Sequence, residues 1–214
     1  MTNEREKYHR RLVCEIDDDT MSPGFYWYEI PASDAPKRPD WLDAEARLIV
    51  TSFAKSQDRT EREVCRALEC GARDVAFEYL SDHHARHMVA TIVASGANPI
   101  CIAHQTAPPP SVAAVIDQLE RLRDSGASIL KIAFPAATAD VIAICINAQF
   151  RANNRFAEPV SLTPMGTRWG RIAAAAAGSA LIFAPAVATP GRQSAVDMLD
   201  TLVRLDGVAG EGEL

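Results

Sequence analysis

Short apolar runs alternate along this chain with amphipathic stretches, and the two periodicities separate strands from helices. Near-continuous apolar runs predict strands at Arg11–Ile16, Phe25–Ile30, Arg47–Phe53, Asp74–Tyr79, Pro99–Ala103, Ile129–Ala133, Pro159–Leu162 and Ala180–Ala184. Runs of that kind suit a parallel sheet buried on both faces. Helical patterns fall between them at Thr60–Glu69, Ser81–Ser95, Ser111–Ser125, Thr138–Ala152, Arg168–Ala177 and Gln193–Leu205. The first opens on a Thr-x-x-Glu capping box, and those starting at Ser81 and Ser111 stop near Gly96 and Gly126.

From residue 47 onward strand and helix alternate to the end, which implies a parallel α/β sheet. Eight strands, with no glycine-rich phosphate loop after the first, favour a (β/α)8 TIM barrel over a dinucleotide-binding fold. The first two strands are separated only by DDDTMSPG, too little for a crossover helix, so the first βα unit is expected to be shortened. The 214 residues are read as one barrel domain, short against a usual length of about 250, with residues 1–10 and 206–214 as frayed ends.

Charge and cysteine usage narrow the function classes. Lys+Arg total 22 against Asp+Glu 28, a net charge of -6, which disfavours nucleic acid or an anionic membrane surface as partner. No apolar run reaches the roughly 18 residues of a membrane-spanning helix, and MTNEREKYHRRL lacks the apolar core of a signal peptide, so a cytoplasmic protein is expected. Cys14, Cys65, Cys70, Cys101 and Cys145 are scattered without a CxxC, the pattern of buried thiols rather than of disulfides or a zinc site.

Only four of the 22 basic residues are lysines, at positions 7, 37, 55 and 131. Lys131 lies inside the strand SILKIAF, where desolvation disfavours the ammonium and frees the amine as a nucleophile toward carbonyls. The alternative is a lysine that reaches solvent or pairs with a neighbouring strand. His104 ends the run PICIAH, at the carboxyl end of the preceding strand, where parallel barrels build their active sites; a structural histidine is the alternative. Together the two suit Schiff-base chemistry, the histidine moving protons next to the imine carbon. In SDHHARH, His83 and His87 have metal-ligand spacing, but without a nearby third ligand a solvated helix face is the plainer account. Arg168, Arg171 and Arg192 sit in or beside the loops TPMGTRWGRI and ATPGRQS, which build an anion site in many barrels and otherwise serve only as helix caps.

These residues resemble the type I 3-dehydroquinate dehydratases. PICIAHQTAPPP is similar to that family's strand ending in His, ASILKIAFPAATADVIAI to its Schiff-base segment, PMGTRWGRI to its Ser-Met-Gly loop ending in Arg, and GSALIFAPAVATPGRQS to its final strand and loop. The likeness runs from about Ile100 to Leu205. It implies a homodimeric barrel needing no metal or organic cofactor and acting on a small cyclic keto acid, without nucleic acid or membrane. Lys131 would form the imine with 3-dehydroquinate, and His104 would act as general acid/base on the way to 3-dehydroshikimate. Arg171 would hold the substrate carboxylate, and Arg192, Gln193, Glu78 and Glu29 would complete the binding shell.

The N-terminal half departs from the family pattern. Ala76 stands where the family has a glutamate, with Glu78 two residues later on the same face. Ala54 stands at an arginine position, and YEIPAS keeps Glu29 without the arginine that follows it. In the last loop Ala188 replaces a serine, and Arg192 replaces a glutamine, with Gln193 adjacent. A Schiff-base lyase for a different cyclic ketone, or a non-catalytic homologue with a binding role, are the alternatives these departures raise.

Overall fold

The structure is a computed structural model that describes residues 2–16, 24–33, 45–190 and 192–210. Eight parallel strands form one sheet: β1 (Leu12–Glu15), β2 (Trp27–Pro31), β3 (Arg47–Ser52), β4 (Asp74–Glu78), β5 (Asn98–His104), β6 (Ile129–Pro135), β7 (Val160–Met165) and β8 (Ile182–Pro185). Their order, β7-β6-β5-β4-β3-β2-β1-β8, follows the chain apart from β8, which pairs with β1. The backbone N–H of Ala180 donates to Val160 at 2.8 Å, and that of Leu181 donates to Ser161 Oγ at 2.8 Å. These bonds bring β8 alongside β7 and nearly close a (β/α)8 barrel.

From β3 on, each strand is followed by a helix: α2 (Gln57–Glu69), α3 (Asp82–Ala94), α4 (Val112–Arg123), α5 (Ala139–Arg155), α6 (Arg168–Ala176) and α7 (Ala195–Gly210). Ser81, Ser111 and Thr138 cap α3, α4 and α5 by accepting a backbone N–H three residues on, as their positions in the sequence predict. The turns after α3 and α4 need a left-handed residue and find it in Gly96 (φ 77°) and Gly126 (φ 84°).

Three local expectations are corrected. The helix expected at Thr60–Glu69, α2, starts at Gln57 rather than Thr60. Thr60 lies inside it and donates its hydroxyl to the Ser56 carbonyl at 2.9 Å, while Glu63, the other half of the expected capping box, accepts from Ser52 Oγ at 2.7 Å. Residues 2–9 form a helix, α1 (Thr2–His9), tied to α7 by Arg5–Asp200, by Lys7–Asp206 and by the Tyr8 hydroxyl on Asp206; polar docking of this kind leaves no apolar period in the sequence. Of the cysteines, Cys14, Cys101 and Cys145 are buried, but Cys65 is exposed and Cys70 half-buried on and just after α2. Burial pushes the Cys101 and Cys145 thiols up to about 12.

β1 and β2 lie side by side, Ile16 N–H donating to Glu29 O at 3.0 Å, and are joined by residues 16–26, of which 17–23 fall outside the described residues. That is less chain than the dozen or so residues a crossover usually takes, which is the shortened first βα unit. Lys37 also lies outside the described residues.

Strand alternation sorts the core into two compartments. Odd and even positions of each strand face opposite ways. One set, with Leu12, Tyr28, Val50, Phe77, Cys101, Leu130 and Ile182, packs under the helices. The other set, Val13, Trp27, Ile49, Ala76, Ile100, Ile102 and Phe183, fills the barrel itself.

Candidate active site

Towards the carboxyl ends of the strands the interior set turns polar. Following the same alternation, Val13 leads to Glu15, Trp27 to Glu29, Ile49 to Thr51, Ala76 to Glu78, and Ile102 to His104. Lys131 pairs in register with Ile102, so it projects to the same side as His104 two residues further along β5. The sheet register therefore gathers six side chains capable of proton transfer or hydrogen bonding at one end of the barrel, the end where parallel barrels carry out chemistry.

Lys131 is 4% exposed. Its Nζ lies 3.7 Å from Glu29 Oε1 and 3.2 Å from the centroid of the Phe183 ring. Glu29 is itself held by Thr51, whose hydroxyl donates to Oε1 at 2.6 Å. Burial is the largest influence on the amine and lowers its pKa; Glu29 and Glu15 oppose that, and Arg171 adds to it. The balance favours the neutral, nucleophilic amine more than water does.

His104 is fixed from one side by a single carboxylate. Glu78 Oε1 accepts the His104 backbone N–H at 2.8 Å, and Oε2 lies 2.7 Å from Nδ1. The ring is thereby oriented through Nδ1, with Nε2 on the side away from that carboxylate. Burial pushes the Glu78 carboxyl up, but the bonds from the His104 ring and backbone outweigh it, and the carboxyl stays below its ordinary value. On this face of β4 it is Glu78 that meets the histidine, while Ala76 is buried among the apolar interior residues. Lys55, in the loop after β3, caps Glu78 Oε1 at 2.9 Å from the solvent side. Phe53, nearly half exposed, tilts against the imidazole with centroids 5.7 Å apart.

The expected binding residues are placed unevenly. Arg171, on α6, is 9% exposed and its Nη1 finds no hydrogen-bond partner. Burial lowers its pKa, the nearby Arg192 adds to that, and Glu15 and Glu29 counter it. Such a buried guanidinium is ready for an incoming anion. Arg192 instead is already paired with Glu15, and Gln193 turns away to α7, donating to Thr201 Oγ1 at 3.2 Å. Glu15 was not singled out from the sequence; the alternation VxE at the end of β1 was the available signal. Elsewhere, His83 and His87 are exposed while His84 is buried on α3, so SDHHARH is not a uniformly solvated face. Among the described residues no group of three or more His, Cys, Asp or Glu is disposed to hold a metal ion. A cleft of about 770 Å³ lined by Tyr26, Arg47, Arg73 and Asn98 opens at the amino ends of the strands, away from Lys131. Also among the described residues, no helix is long and apolar enough to cross a membrane.

Comparisons with known proteins point the same way. No curated protein matches the chain significantly in sequence. Solved structures match in fold. The type I 3-dehydroquinate dehydratase of Clostridium difficile, described with covalent modified comenic acid, superposes with a TM-score of 0.68 at 19% identity, over 78% of this chain and 70% of that one. The 3-dehydroquinate dehydratase of Geobacillus kaustophilus gives 0.69 at 17%, over 77% and 69%, and that of Enterococcus faecalis 0.70 at 15%, over 90% and 92%. The family model for type I 3-dehydroquinase matches residues 51–208, most of the chain and all of the strands that carry Lys131, His104 and Glu78; the chain belongs to that family.

Proposed function

We propose that this protein is a Schiff-base lyase that dehydrates 3-dehydroquinate to 3-dehydroshikimate in the shikimate pathway, as a cytoplasmic homodimer without metal or organic cofactor. The observation that carries this reading is the buried Lys131 amine on the same barrel face as a carboxylate-held His104. Lys131 Nζ adds to the substrate ketone, and loss of water from the carbinolamine gives the imine. His104 removes the proton on the adjacent carbon and returns it to the departing β-hydroxyl, which leaves as water. Hydrolysis of the conjugated imine releases the product and restores the amine. Arg171 holds the substrate carboxylate through its unpartnered Nη1; Glu29 and Glu78 orient the two reacting side chains.

A second reading keeps the chemistry and changes the ketone. Ala54 and Pro31 stand where two family arginines are expected, and Arg192 is occupied by Glu15. A site built to hydrogen-bond a hydroxyl discriminates by large factors against a ligand that leaves its groups unpaired, so loss of such donors redirects specificity.

Incubation with 3-dehydroquinate and borohydride tests both. The expected result is a reduced adduct on Lys131, absent from Lys131→Ala, together with rising enone absorbance in the unreduced reaction. Neither adduct nor absorbance with 3-dehydroquinate would overturn the first reading; an adduct only with another cyclic keto acid would establish the second.

A further inference from the structure

Glu15 is the last residue of β1 and continues the interior alternation from Val13. In the β1–β2 ladder it is the register partner of Glu29, the carboxylate 3.7 Å from Lys131 Nζ. Two acidic side chains on neighbouring strands thus face the same amine. On the other side of β1, Val13 pairs with Phe183, whose ring lies under Lys131 Nζ. The remaining faces around the amine are Ser161 on β7, its register partner, His104 on β5, Thr51 and Glu78 on β3 and β4, and Arg171 on α6.

Left to itself, a second carboxylate here would stabilise the ammonium and disarm the nucleophile. Arg192 answers it. The turn between β8 and α7 is closed at its base by two backbone bonds, Thr189 N–H to Arg192 O at 3.1 Å and Arg192 N–H to Thr189 O at 2.9 Å. From there the Arg192 guanidinium reaches back and pairs with Glu15.

We propose that Glu15 and Arg192 are positioning residues for Lys131: by pairing with Glu15, Arg192 offsets part of the second carboxylate on the amine's side of the barrel and so favours the nucleophilic form. The inference rests on Lys131 as the imine-forming residue and gives Arg192 a task other than holding substrate.

The two variants carry opposite signs. Glu15→Gln removes a negative charge and leaves Arg192 uncompensated, so the Lys131 amine becomes reactive at lower pH. Arg192→Gln uncovers Glu15, so reactivity moves to higher pH. At the separation of neighbouring strands each shift amounts to about one pH unit.

Reductive methylation with formaldehyde and cyanoborohydride, followed at the Lys131 peptide by mass spectrometry from pH 6 to 10, reads this without any dehydroquinate. The profile therefore stands or falls independently of which ketone the enzyme turns over. Opposite shifts in the two variants, with Glu15→Gln/Arg192→Gln returning close to the native profile, are the expected result. Shifts in the same direction, or none, would overturn the proposal. If one variant fails to fold, as judged by circular dichroism, the direction of the other decides alone.

Discussion

A single carboxylate, that of Glu78, holds His104 at two points, accepting the backbone N–H at 2.8 Å and meeting Nδ1 at 2.7 Å. The arrangement fixes both where the imidazole sits and which nitrogen faces the barrel mouth. Glu78→Gln keeps the shape and removes the charge, and its amide has one donor face that the histidine backbone cannot accept. The turnover number is expected to fall about 10²-fold or more, within the range that general acid–base catalysis contributes. Borohydride trapping on Lys131 is expected to persist, because imine formation needs the amine rather than the histidine. Loss of trapping together with turnover would mean that Glu78 supports the barrel end as a whole.

Arg171 offers the complementary test on the binding side. Its Nη1 is buried without a partner, and a charge-assisted bond to a carboxylate is worth about 1.5–3 kcal/mol. Arg171→Gln is expected to lower kcat/KM by about 10–100-fold, mainly through KM, for any keto acid the enzyme accepts. A control ketone of similar size lacking the carboxylate is expected to be almost unaffected. Equal losses with both compounds would remove Arg171 from carboxylate binding.

Most of this architecture was legible in the chain, and the failures share a cause. The strands were readable because burial on both faces makes them continuously apolar, and Lys131 stood out because it breaks such a run. His104 was readable for the same reason, as the polar end of PICIAH. Glu15 was not, because β1 is short and its last residue reads as the start of the acidic run EIDDD. Its meaning comes from the β1–β2 register and from Arg192, 177 positions away in the chain. The Glu78 substitution for Ala76 was only half legible: period two put both on one face, but only the fold shows which of them reaches the histidine. The docking of α1 on α7 left no trace, since it relies on polar pairs and not on an apolar stripe.

His84 gives the acid limb of stability a specific origin. It is 2% exposed on α3, and neither ring nitrogen has a protein partner. Burial pushes its pKa below the ordinary 6.5, with Glu61 opposing and His87 and His83 adding to the effect. Because the unfolded chain takes up this proton first, the folding free energy falls as pH drops below about 6.5, by at most about 1.4 kcal/mol per pH unit from this group. His84→Leu removes the proton uptake and two unsatisfied polar atoms. Its urea midpoint is expected to equal or exceed the native one at pH 7.5 and to decline less on moving to pH 5.5. An identical decline in both proteins would assign the acid sensitivity to other groups.

The amino end of the barrel is closed by charge, and removing one side of that closure is expected to cost more than removing both. Asp74 is fully buried and receives Arg47 Nε at 3.0 Å, a second bond from Arg47 Nη2, and Asn98 Nδ2 at 3.1 Å. The Arg47 guanidinium also lies over the Trp27 ring, 4.3 Å from its centroid. Arg47→Met strands the carboxylate with Asn98 alone, and a buried charge deprived of its partner costs about 3–5 kcal/mol. Asp74→Asn is milder, because Arg47 is about one-third exposed and rehydrates from its solvent side. The double variant Arg47→Met/Asp74→Asn leaves no uncompensated charge and is expected to recover a large part of the loss. Urea unfolding at pH 7 measures all three. Because this plug and Lys131 occupy opposite ends of the barrel, the fraction of folded protein trapped on Lys131 is expected to stay constant across the series. An Arg47→Met variant as stable as the native chain would show that Asn98 alone satisfies Asp74.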